Sequence, residues 1–179
     1  AQNYFEQNWG SKNSKNVTKP GWRVYKDDYK YLNDHGYLYH FEGAKNSCPV
    51  GWHLPSDDEW KILEINLGMS EKDANAKGFR GSIEGSKLKT IEKDCSIDSL
   101  HGSSGFNARL SGECIKSAWS TEQFFEFGFQ TWFWSSSITS DSRVWVRNIR
   151  RGYSESKIGR EQIATEENYY SARCVKNSK

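Results

Sequence analysis

The sequence predicts an α+β chain, rich in loops and held by disulfides. Three observations carry this. Two helix signals follow one another early, and strand signals gather near the C-terminal end, so there is no repeating βαβ pattern. The core must be aromatic: only 35% of 179 residues are hydrophobic, yet 15% are Phe, Trp or Tyr, eight of them Trp. Large rings bury much area each, so a few replace many aliphatics. Four Cys stand apart at 48, 95, 114 and 174.

The length fits one domain, read here as 21–179 after a polar arm over 1–20 that is rich in Asn, Lys and Ser and ends at Pro20. Net charge is +2, from 25 basic and 23 acidic residues. That balance argues against a nucleic-acid or membrane-surface protein. Mean hydropathy is −0.87, and no apolar run approaches the roughly 18 residues of a membrane span, so no membrane insertion is expected.

The cysteines contain no CxxC, which argues against a zinc site or a thioredoxin motif. An even, scattered set reads as two disulfides and an oxidising compartment. Three connectivities are open, with four buried thiols as the alternative. The preferred pairs are Cys48–Cys174 and Cys95–Cys114. The first ties an early segment to the last strand, and its long loop gives a chain-entropy gain of roughly 4–5 kcal/mol, against about 3 kcal/mol for the shorter one.

Along the chain, Gly36-Tyr37-Leu38-Tyr39-His40-Phe41 alternates and reads as a strand. Ser56-Asp57-Asp58-Glu59 is a capping box behind Pro55. Trp60, Leu63 and Leu67 then share one helix face, and Gly68 is placed to end that helix. A second short helix is expected from Ser70 to Gly78. Residues 79–130 read as mostly irregular, with Gly at 81, 85, 102, 105, 112 and 128, and Gly105–Leu110 as a short strand within them. Strands are expected at Thr131–Trp134, Arg143–Ile149, around Ile158 and Ile163, and at Tyr170–Val175.

Several of these segments carry motifs. Cys48-Pro49-Val50-Gly51-Trp52-His53-Leu54-Pro55-Ser56-Asp57-Asp58-Glu59-Trp60 resembles the CPxGWHLPxxxEW signature of the Fibrobacter succinogenes major paralogous family. In the same order, Gly36-Tyr37-Leu38-Tyr39, Gly85-Ser86-Lys87-Leu88-Lys89, Gly105-Phe106-Asn107-Ala108, Trp132-Phe133-Trp134-Ser135-Ser136 and Ala172-Arg173-Cys174-Val175 resemble its GxLYxW, GxKLK, GFSA, YWWSS and VRCV segments. The resemblance implies a C-type-lectin-like fold: a small twisted antiparallel sheet, two flanking helices and long loops carrying the ligand surface. It implies secretion or display on a bacterial surface, and it supports Cys48–Cys174. The sequence departs from the family at Arg109–Cys114 and in having Cys95 and Cys114.

Calcium-dependent lectins use Glu-Pro-Asn or Gln-Pro-Asp with Trp-Asn-Asp. None occurs here, and the three prolines (20, 49, 55) precede the long loops. No metal and no cofactor is expected. The four His show no metal-ligand spacing and there is no Gly-x-Ser-x-Gly elbow, so no enzyme is expected. His53 reads as an imidazole bonded to backbone that fixes the turn. Trp52, Trp60, Trp132 and Trp134 read as core.

The candidate ligand face lies between 143 and 170. Residues 143–160 hold Arg143, Arg147, Arg150, Arg151, Lys157 and Arg160 against Glu155 alone, six minus one, or +5. Arg143, Trp145 and Arg147 alternate onto one strand face, opposite Val144 and Val146. Tyr153 and Tyr169 lie further on. Arg with aromatics is a binding composition, and Arg forks match carboxylate or sulfate. The competing reading is a solvated sheet edge protected by charge. The expected function is therefore calcium-independent binding of a glycan or surface protein by a secreted or surface-displayed adhesion module, with oligomers open and no nucleic acid. The alternatives are a structural subunit of a surface appendage and a hypervariable display protein.

Overall fold

Helix formation begins where the local signals are strongest. In a computed structural model describing residues 21–90, 101–116, 122–152, 156–165 and 168–178, the Ser56 hydroxyl accepts from Glu59 N at 3.2 Å while Glu59 Oε2 accepts from Ser56 N at 2.8 Å. This reciprocal pair satisfies two amides that a helix start leaves open.

In chain order the elements are β1 (Trp22–Arg23), α1 (Leu32–His35), β2 (Leu38–His40), α2 (Phe41–Lys45), β3 (Trp52–His53), α3 (Asp57–Asn66), α4 (Glu71–Asn75), β4 (Gly78–Arg80) and α5 (Glu84–Leu88). Then come β5 (Ser111–Ile115), β6 (Gln123–Phe127), β7 (Gln130–Ile138), β8 (Val144–Arg150), β9 (Ile158–Ile163), β10 (Asn168–Tyr170) and β11 (Val175–Lys176). The fold is mixed α+β and mostly sheet. One sheet has nine strands in the order β1-β2-β10-β5-β7-β8-β9-β4, with β6 paired to β5. A separate ribbon joins β11 to β3. The larger sheet exceeds the small one expected.

The two expected helices form as α3 and α4, the second stopping at Asn75 so that Gly78 opens β4. The early strand is shorter than expected, since its Phe41 starts α2. Residues 79–130 are the main correction: they contain β4, α5, β5 and β6. The short strand expected at 105–110 is reduced to one bridge, Lys89 with Ala108. Gly112 explains part of the misreading. It lies inside β5 at φ +68°, where a side chain would meet Phe125 O at 2.3 Å, so a strand passes through a glycine whose conformation resembles a turn.

The large sheet separates two apolar layers. On the α3 side lie Trp60, Met69, Leu88, Leu110, Phe133, Ile149 and Ile158. On the other lie Tyr39, Phe41, Leu54, Trp134, Val144, Val146 and Tyr170. Each large side chain buried this way contributes roughly 1.5–3 kcal/mol. Trp60 and Trp134 are core, as expected, while Trp52 and Trp132 are half-buried. Trp134 Nε1 donates to Tyr39 O at 2.7 Å, tying β7 to β2. Gly85 packs against the 156–157 backbone, where a Cβ would meet Lys157 O at 2.3 Å.

Cys48 and Cys174 form a disulfide. Cys114 is buried on β5. Cys95, its expected partner, lies outside the described residues, as do the arm over 1–20 and Tyr153.

Candidate functional site

β8 has both faces covered. Val144 and Val146 enter the second apolar layer, as the alternation predicts. The opposite face, expected to meet ligand, meets α3 instead. Arg147 is fully buried. Its Nε donates to Glu64 Oε1 at 2.6 Å, and its Nη1 to Asp57 Oδ1 at 2.8 Å. Arg160, opposite it on β9, forks onto Asp57 at 3.0 and 2.7 Å. Arg80 Nη2 donates to Glu64 Oε2 at 2.6 Å. Burial pushes the Asp57 carboxyl up, but the hydrogen bonds and charges of Arg160 and Arg147 outweigh it and hold Asp57 well below the usual carboxylate range. Burial lowers the Arg80 guanidinium.

Arg147 therefore does not belong to a ligand face; its donors are committed to two carboxylates inside the protein. Tyr169 is a second correction. It is buried on β10, with Oη 3.4 Å from Glu122 Oε1 and Arg23 over its ring. In the sheet order β10 lies three strands from β8, about 14 Å at the usual strand spacing. Trp145 is half-buried, with the Arg160 guanidinium 3.5 Å from its ring centroid and Lys77 Nζ 5.4 Å away. Arg150 lies over Phe79 and Arg151 over Phe129. Arg143 is exposed and donates to Gln162 O at 3.2 Å. The candidates do not converge. The +5 counted along 143–160 overstated the free charge, because Asp57 and Glu64 neutralise part of it from α3.

An open groove lies elsewhere, between the outer flank of α3 and the C-terminal segment. Its volume is about 530 Å³, within the range of ligand sites. Trp60, Leu63 and Phe106 line its inner part; the exposed Ile62 and Val175 line its mouth. Arg173, Cys174 and Lys176 form the far side. Arg173 is buried, with Nη2 donating to Asn107 O at 3.0 Å; desolvation lowers its guanidinium to about 10. A polar recess lined by His35, Arg109 and Ser111 measures about 30 Å³, room for a water molecule or two.

His53 fixes the groove's C-terminal lip. Its Nε2 is 2.7 Å from Glu59 Oε1 and its Nδ1 2.7 Å from Asn177 Oδ1. Its partners are thus side chains, not the backbone expected. Hydrogen bonds to Asn177 and Glu59 raise the imidazole pKa. Glu59 is pushed up by burial, but Ser56 and His53 outweigh this and lower it.

The groove escaped sequence reading because its walls are more than a hundred residues apart. One signal was present: Pro55, Glu59, Trp60, Phe106, Arg173, Cys174 and Val175 all fall in motif segments. Asp57 and Glu64 were also missed, though seven residues apart they share the helix face of Trp60.

Among the described residues, no three His, Cys, Asp or Glu side chains are arranged to hold a metal ion, and no helix is long and apolar enough to cross a membrane. Comparison with curated proteins finds no match, and comparison with solved structures finds none. The family model of the Fibrobacter succinogenes major domain matches residues 1–176. Its match spans nearly the whole sequence, and the chain belongs to that family.

Proposed function

We propose that this chain is a non-enzymatic, calcium-independent binding module whose ligand site is the groove between α3 and the C-terminal segment. The observation that carries this is convergence: three of the six motif segments meet at one open, apolar-walled groove. The Cys48–Cys174 bridge supports an oxidising, secreted or surface-displayed setting. The α+β architecture with a disulfide at the base of the C-terminal segment supports a C-type-lectin-like reading of the fold, with glycan or protein as ligand.

The test is a glycan array and a peptide array, probed with the oxidised protein in calcium and in chelator. Binding is expected to survive chelator, to fall in Ile62→Glu and to persist in Arg143→Ala. Ile62 is 58% exposed, so the change should spare the fold. Binding that falls in Arg143→Ala and not in Ile62→Glu would return the site to the basic strand. Silence on both arrays would favour a structural subunit.

A further inference from the structure

The far side of the groove is a strand edge. β11 pairs with β3 through Val175 with His53 and Lys176 with Trp52, and Asn177 N donates to Gly51 O at 2.9 Å. In an antiparallel ladder, successive residues turn their peptide groups to opposite sides. Val175 and Asn177 face β3, so the N–H and C=O of Lys176 face away from it. Cys174, Val175 and Lys176 also line the groove, so the edge runs along it. The edge is held at both ends, by the Cys48–Cys174 bridge and by the contact of Asn177 with His53.

We infer that the groove takes an extended polypeptide segment of alternating apolar and acidic residues, which pairs with β11 as a third strand. This rests on the groove being the ligand site. Three features select that occupant. Peptide groups on an open edge are matched by another extended backbone. The apolar flank, Ile62, Leu63 and Phe106, takes every second side chain of such a segment. The charge favours acid: of the ionisable groups lining the groove, Lys176 is an exposed cation on the edge itself, Arg173 adds buried positive charge behind it while donating to Asn107 O, and the carboxylate of Glu59 is engaged by His53 and Ser56. A merely protected edge would carry the lysine without the apolar flank.

The experiment is selection of a phage-displayed random heptapeptide library on the oxidised protein, followed by synthesis of the consensus peptide. The expected consensus alternates apolar and acidic residues. N-methylation of one backbone amide at a time should weaken binding by about tenfold at alternate positions only, the effect of one lost hydrogen bond with a buried partner. Lys176→Pro, which removes an N–H that β3 does not use, should weaken binding about tenfold beyond Lys176→Gln, which keeps it. Far-ultraviolet circular dichroism and intact oxidised mass confirm that both variants fold. If peptides bind, fail against Ile62→Glu, but ignore both N-methylation and Lys176→Pro, the groove stands and strand pairing is overturned. If no peptide is enriched, the polypeptide ligand is overturned while glycan binding at the groove stays open to its own test.

Discussion

On its inner side α3 carries Asp57 and Glu64, closed off from water beneath Arg147, Arg160 and Arg80. On its outer flank Ile62 and Ile65 stand exposed. Charge is buried and apolar surface is open, the reverse of the usual arrangement. The difference lies in partners. A buried ion cluster survives only if each charge is met with good geometry, because desolvation otherwise exceeds the Coulombic gain. Asp57 and Glu64 are met by forks arriving from three strands, so those arginines have little left to offer a ligand. The outer flank has the opposite property: along the groove, Ile62 meets water, and covering it would release that water.

The largest effect is expected from the staple on the outer side. Replacing Cys48 and Cys174 together by Ser opens a loop with a sequence separation of 126 and should remove roughly 4–5 kcal/mol on the chain-entropy account. Urea unfolding of the variant against the oxidised parent measures it. The groove lip should suffer before the ion cluster does, so peptide or glycan binding should fall even in buffer where the variant stays folded. A variant with parental stability would show that the lip is held by its hydrogen bonds alone.

Next comes the inner side. Arg147→Ala leaves two buried carboxylates short of a donor and should cost about 3–5 kcal/mol. Ile62→Ala on the outer flank should cost no more than about 0.5 kcal/mol. The same denaturant titration reads both. If the two costs were alike, the contrast between a closed inner side and an open outer side would fail.

What could be read from sequence follows the same division. The Ser56–Glu59 capping box, the Trp60 stripe and the short helix after Ser70 depend on residues a few positions apart, and they form as expected. Cys48 with Cys174 was preferred among three connectivities because it ties an early segment to the last strand, motif order supported it, and the bridge forms. Arg147 was misassigned because its partners lie 83 and 90 residues away. Alternation correctly placed it opposite Val146, but not beneath a helix. The pairing of β5 with β6 was hidden for a local reason: Gly112, one of the glycines that make 79–130 read as irregular, sits inside β5 at φ +68° while its neighbours pair. The groove belongs to neither helix nor strand alone. It exists because β11 returns to β3, and no local pattern encodes that return.

The smallest effect is a pH dependence at the lip. Hydrogen bonds to Asn177 and Glu59 raise the His53 pKa above its ordinary 6.5. A raised folded value means that the protonated imidazole is the form the clamp favours. Its contribution is complete below 6.5 and is lost as pH rises through the folded value. Glu59 runs the other way. Its lowered value contributes above the ordinary 4.5 and is lost as pH falls. The pair is therefore strongest between about 4.5 and 6.5, the two ordinary values. The His53 side chain is 39% exposed, so solvent screening holds the effect to a fraction of a kcal/mol. Thermal unfolding of the parent and of His53→Gln across this range and up to pH 9 measures it. The gap between them should be widest near pH 6 and narrow towards pH 9. A gap that widened with pH would mean that the neutral ring is the clamping form, with Asn177 turned to donate rather than accept.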